Sequence, residues 1–234
     1  MRVTISAKKI FWTLFLINVL FMVFHLILVY LNTNFDLSSW MVQVVDRFNM
    51  DAEVSVPTWF AQTLLLSCSA LAGLMCVARK KVIKDARAWC AISLILLYVS
   101  IDEGSALHEL IAEPVRDTLE ITSGPFVFAW TIPVLIIVAI LGLAFLKFFL
   151  RLKRRTRNLL VLSAVIFVGS AAGFEIISGA YWTSQGFAFD ATYSVLVGLE
   201  EGFENIGTIV CVYALLDALG ALNKKETPQL AFID

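Results

Sequence analysis

Charge is scarce in this sequence: Asp, Glu, Lys and Arg together make up 16% of 234 residues, and the formal net charge is -1. A soluble domain carries about 25% charged and 45–50% apolar residues, so this chain lacks the polar material to cover a water-facing surface. Near-neutral charge without a long basic face excludes nucleic acid as a partner. Cysteine occurs only as Cys68, Cys76, Cys90 and Cys211, each inside an apolar run and never as C-x-x-C. That spacing offers neither a disulfide framework nor a thiolate zinc site, so all four read as small core residues. A phosphate loop, a nucleotide fingerprint and a Ser-His-Asp spacing are also missing.

What is present is apolar: 59% of residues are hydrophobic and the mean hydropathy is +0.84. Disorder is thereby excluded, and the chain reads as one all-α transmembrane domain over residues 1–234. Crossing a hydrocarbon core of about 30 Å takes about 20 apolar residues. Six stretches qualify, at about 10–31, 58–77, 88–110, 126–150, 159–182 and 192–219. The first is too long for a signal-peptide core and lacks an A-x-A site, so it reads as a retained span. Basic residues gather in alternate connections: Arg2, Lys8 and Lys9; Arg79, Lys80, Lys81, Lys84 and Arg87; Arg151, Lys153, Arg154, Arg155 and Arg157; Lys224 and Lys225. The intervening segments are mostly acidic, with only Arg47 and Arg116. The positive-inside rule therefore predicts both termini in the cytoplasm, and the expected location is an inner (plasma) membrane.

The outer loop 32–57 holds Trp40, Met41, Val44, Val45 and Phe48 at helical spacing, which predicts an amphipathic helix for the membrane surface or a partner. Pro125 marks a helix start, and Pro133 predicts a kink or a local break in the fourth span. Trp12, Trp40, Trp59, Trp89, Trp130 and Trp182 fall mostly near span ends and read as interfacial anchors. Asp102-Glu103-Gly104 and Glu200-Glu201-Gly202 look like an inverted repeat, but their unequal distances from the helix starts make coincidence the better account.

The informative residues are the ionisable groups inside the spans: His25, Asp102, Glu103, His108, Glu109, Glu175, Glu200, Glu201 and Glu204. A rise of about 1.5 Å per residue puts His25, Asp102, His108 and Glu175 about 21–30 Å from the cytoplasmic ends of their helices. Glu200, Glu201 and Glu204 of the last span lie about 12–18 Å below the outer face. All nine thus fall in the outer half of the membrane. A charge at mid-helix costs about 2.5–3.5 kcal/mol, so seven lipid-facing carboxylates would cost on the order of 20 kcal/mol. They must face inward and be neutralised. No Lys or Arg lies at their level within the spans, which leaves Arg47 or Arg116 folding in, protons, or metal ions.

Helical spacing puts Asp102, Glu109 and Glu113 on one stripe, with Gly104-Ser105 able to loosen the helix. Glu175 lies beside the small-residue pattern Gly169-x-x-x-Gly173, where helices approach closely, and is expected to point at a neighbour. Asn18, His25 and Asn32 form a polar stripe on the first span, and Gln62 and Ser69 add to the second. Carboxylates with some imidazole are the donor set of dinuclear sites in helix bundles and suit iron, manganese or zinc. The expected metal ligands are Asp102, Glu109, Glu175, Glu201 and Glu204, then His108 and His25, with Glu103 as general base or supporting group. The ferritin-like Glu-x-x-His spacing is absent, so charge balance and not a motif carries the expectation of one or two divalent ions.

The tracts Ser100-Ile-Asp-Glu-Gly-Ser-Ala-Leu-His-Glu109 and Leu199-Glu-Glu-Gly-Phe-Glu-Asn-Ile-Gly207 resemble a group of uncharacterised bacterial multi-pass membrane proteins, a likeness that implies no function. Glu201-Gly-Phe-Glu204 also looks like an iron-permease signature, but Glu200 stands where that signature has arginine and there is no second copy. Three functions follow as expectations. The first is metal-dependent hydrolysis or oxidation of a lipid-like or quinone-like molecule drawn from the membrane. The second is divalent-cation or proton-coupled transport, and the third is an accessory role in an oligomer or membrane complex.

Overall fold

The computed structural model describes residues 6–78 and 83–223. Among them every regular element is helical: α1 (Ala7–Asn34), α2 (Ser39–Phe48), α3 (Val56–Ala78), α4 (Ile83–Glu103), a 3-10 turn (Leu107–Ile111), α5 (Ala112–Leu119), α6 (Thr131–Arg151), α7 (Arg154–Ser184) and α8 (Ala191–Asn223). Local chemistry sets several starts. Ser6 Oγ accepts from Lys9 N–H at 3.4 Å, Ser55 Oγ from Thr58 N–H at 3.2 Å, and Asp190 Oδ1 from Tyr193 N–H at 2.9 Å, each occupying an otherwise orphaned helix donor. The amphipathic helix expected in the outer loop is α2, where Phe48 meets Phe24 of α1 edge to face at 5.1 Å.

α1, α3, α6, α7 and α8 are each long and apolar enough to cross a membrane, and α4 with the turn and α5 makes a sixth span if that bent pair is counted as one. By length and composition the described residues thus offer five membrane-spanning helices, or six with the bent pair, the pattern of a multi-pass membrane protein. α8 is its axis, packed on α7, α1 and α3; α3 packs on α4, and α6 touches only α4 and α7, lightly. The α7 contact depends on Gly207, where a Cβ would stand 2.7 Å from the backbone nitrogen of Phe167. Of α6, only Thr131 and Phe148 are buried.

The helices α3, α4, α6, α7 and α8 therefore close a ring, and its two ends differ. Toward the end where α1 and α7 begin, Cys68, Ala72, Met75, Trp89, Phe148, Leu160, Val212 and Leu215 fill the interior as an apolar plug. Trp89 is 1% exposed and stands edge-on to Phe148 at 5.2 Å. Ion pairs rim this end: Arg151 with Asp85 at 3.2 Å and Arg155 with Asp217 at 2.9 Å. Arg2, Arg79, Lys80, Lys81, Lys224 and Lys225, counted above for orientation, lie outside the described residues.

The structure corrects three expectations. The third span does not run to residue 110. α4 stops at Glu103 and the chain turns by 82° into the segment Leu107–Leu119. Gly104 opens the turn, Ala106 takes a left-handed φ of 43°, and Asp102 Oδ1 accepts the His108 backbone N–H at 2.8 Å. The stripe of Asp102, Glu109 and Glu113 on one helix therefore does not exist. The fourth span starts at Thr131, after turns that include Gly124 at φ 91°. Pro133 falls in the first turn of α6, where its missing N–H breaks no helical bond, and no kink interrupts the helix. Finally, Cys76 and Cys90 are joined as a disulfide, with Cα atoms 5.2 Å apart. Their 14-residue separation hid the pairing, because only the antiparallel packing of α3 on α4 brings them face to face. Cys68 and Cys211 remain free and lie in the interior as expected.

Candidate functional site: an acidic pocket at one end of the bundle

At the opposite end of the ring, four elements deliver carboxylates to one place: Asp51 from the loop before α3, Glu103 from the end of α4, Glu175 from α7, and Glu200, Glu201 and Glu204 from α8. Glu200 is 7% exposed and lies in electrostatic reach of Glu175, Glu201, Asp51 and Glu103. Glu201 and Glu204 both face Glu103, and Glu109 adds its charge beside Glu175.

One member of the group is organised by hydrogen bonds. Asp102 Oδ2 lies 2.9 Å from His108 Nδ1 while its other oxygen holds the His108 backbone N–H. A carboxylate only accepts, so Nδ1 carries the proton and Nε2 is left as the ring's acceptor. The imidazole rests against the Trp130 ring, with centroids 4.4 Å apart, and Trp130 Nε1–H donates to Glu175 Oε1 at 3.2 Å. The bend in α4 thus converts two residues of one expected helix face into an Asp–His pair, and the residue before α6 ties that pair to α7.

The basic residues of the loops do not neutralise the pocket. Arg47 donates to the Val54 carbonyl at 3.3 Å and Arg116 to the Val127 carbonyl at 3.4 Å. Among the described residues the pocket's one ion pair is His108 with Asp102.

The remaining expected ligands are placed as follows. His25 is committed elsewhere: Nδ1 accepts from Met50 N–H at 3.2 Å and Nε2 donates to the Ser194 carbonyl at 2.9 Å, stapling α1, the loop and α8 together. Asn18, on the same stripe, donates to the Gly202 carbonyl at 2.9 Å. Asp102 spends both oxygens on His108. Glu175 does point at a neighbour, which is Trp130. Among the described residues no three His, Cys, Asp or Glu side chains stand together as a ready-made set of ligands for one ion.

Two residues of the pocket escaped the sequence reading. Asp51 lies in a loop, so no helical period marks it, and burial pushes its carboxyl up from the ordinary value. Trp130 reads as an interfacial anchor until its indole N–H is seen on Glu175.

Fold and site together are those of an all-helical chain with five or six apolar helices long enough to span a membrane, an acidic cluster at one end and an apolar core at the other. The chain belongs to the family described as Domain of unknown function (DUF8692), which matches residues 13–219. No curated protein and no solved structure matches it.

Proposed function

We propose that this is a six-span inner-membrane protein, with both termini cytoplasmic, whose outward-facing pocket performs proton-transfer chemistry on a lipid-like or quinone-like substrate. The observation that carries this reading is the Asp102–His108 pair at the mouth of a carboxyl-rich pocket. Asp102 holds His108 in one tautomer and stabilises the imidazolium, so Nε2 acts as general base toward a water or substrate hydroxyl. Glu103, beside the pair, is placed to receive or return the proton. The plug at the far end favours a one-sided site over a transport path, since the inner half of the ring offers mainly apolar side chains.

Purified protein in lipid nanodiscs, incubated with a total membrane-lipid extract and followed by mass spectrometry, tests this directly. Turnover of a lipid by the native chain that His108→Ala abolishes is the expected result; identical lipid profiles for both defeat it. Ion or proton flux across proteoliposomes that disappears in Glu204→Gln would replace chemistry by transport.

Charge balance favours one second reading, that a divalent cation occupies the pocket, because no Lys or Arg among the described residues neutralises its glutamates. Stoichiometric metal lost in Glu201→Ala supports it, and metal-free protein of full activity removes it.

A further inference from the structure

A groove of about 480 Å³ runs along the outer ends of α3 and α4, lined by Trp59, Gln62 and Leu66 on one side and Leu97, Ser100 and Gly104 on the other. Trp59, Leu66, Leu97 and Ile101 present exposed apolar surface along it. From residue 59 to 66, and from 97 to 105, the walls extend about 10–12 Å. At its end lies Gly104, the residue after Asp102-Glu103, so the groove stops at the turn that builds the Asp–His pair.

Its polar groups are almost all spoken for by their own backbone. Thr63 donates to the Trp59 carbonyl at 2.8 Å, Ser105 to the Ile101 carbonyl at 2.5 Å, and Ser100 to the Gln62 carbonyl at 2.9 Å. The exception is the Gln62 carboxamide, which has no hydrogen-bond partner among the described residues and lies flat on Gly104, where any Cβ would collide with it. An amide left without a partner beside hydrocarbon costs free energy unless a ligand or water supplies one.

We propose that this groove binds the acyl chain of a membrane lipid and that Gln62 donates to its ester carbonyl, presenting the lipid's polar end to the Asp102–His108 turn. This rests on the function proposed above and names its substrate class. The exposed apolar walls suit a hydrocarbon chain. The Gln62 carboxamide, beside Gly104 at the end of the groove, can donate to one carbonyl there, whereas a quinone's two carbonyls stand on opposite edges of its ring and the far one would lie against the apolar walls without a partner.

The test uses the full chain in nanodiscs that contain a phospholipid with a photoactivatable diazirine on its acyl chain, and maps the crosslinked peptides. Crosslinks are expected to concentrate on residues 59–66 and 97–105, about tenfold above the equally lipid-facing α6 surface around Leu143, and to fall about tenfold in Gln62→Leu, as expected for one lost hydrogen bond. Leu66→Trp, which fills the groove without touching Gln62, is expected to have the same effect. Equal crosslinking on α6 and in the groove overturns the proposal, as does stronger labelling by a diazirine isoprenoid quinone. His108→Ala is expected to leave crosslinking unchanged. Groove labelling without lipid turnover in any variant therefore refutes the chemistry and upholds the groove, whereas turnover without groove labelling does the reverse.

Discussion

The two ends of the helix ring are built from opposite materials. One end is filled by Trp89, Phe148, Leu160 and Leu215 and carries the ion pairs Arg151–Asp85 and Arg155–Asp217. The other gathers Glu103, Glu175, Glu200, Glu201 and Glu204, with His108 of the Asp102 pair the basic group beside them among the described residues. Apolar burial dominates the first end and buried polar groups the second. Such a division is typical of a site whose polar groups are kept for what they bind.

The contrast is most severely tested at the plug. Trp89→Ala removes the largest fully buried side chain and is expected to destabilise the protein by about 3–5 kcal/mol, read as a lower midpoint in detergent-denaturant unfolding. A loss below that of a conservative pocket change would abolish the distinction between the ends. Next in size is Asp102→Asn, which keeps the shape but loses a charge-assisted pair. It is expected to cost about 1.5–3 kcal/mol and to raise hydrogen exchange at the His108 amide while α3 and α8 stay protected.

A smaller effect of opposite sign is expected from Asp51→Asn. Because the folded-state pKa of Asp51 lies above its unfolded value, the folded state favours the protonated form; that advantage is full below the ordinary carboxyl value and lost as pH rises through the shifted one. The amide mimics the protonated form, so at pH 7 the variant should melt at a higher temperature, and the gain should vanish near pH 3. Asp190 supplies the smallest test. Its carboxyl is held below the ordinary value by the Tyr181 hydroxyl and the Tyr193 N–H, so its contribution is present above the unfolded value and fades as pH falls through the folded one. Asp190→Asn should therefore narrow the difference in melting temperature between pH 7 and pH 3, and an unchanged difference would show that this cap contributes nothing.

Much of the bundle was legible from apolar run length: α1, α3, α7 and α8 lie within a few residues of the stretches expected. The bend after Glu103 was not, since hydropathy continues through Leu107, Leu110 and Ile111, and only side-chain capping by Asp102 ends the helix. That α4, α7 and α8 carry acids inside apolar helices was legible from the sequence. Their partners were not, because His25 and Asp102 are committed by backbone groups far away in sequence or beyond a turn that helical geometry does not foresee.

The uneven burial of the helices also bears on how the chain is assembled. α6 has a mean hydropathy of 2.6 over its most apolar window with 6% of that window buried, whereas α8 has 1.7 with 50% buried. A helix such as α6 enters lipid on its own merit and leaves little for neighbours to add. α8, with three glutamates each costing about 2.5–3.5 kcal/mol at mid-membrane, does not. Because α8 follows α1, α3 and α7 in sequence, the helices it packs on precede it, and sequence order would present the costliest of these segments to partners already made.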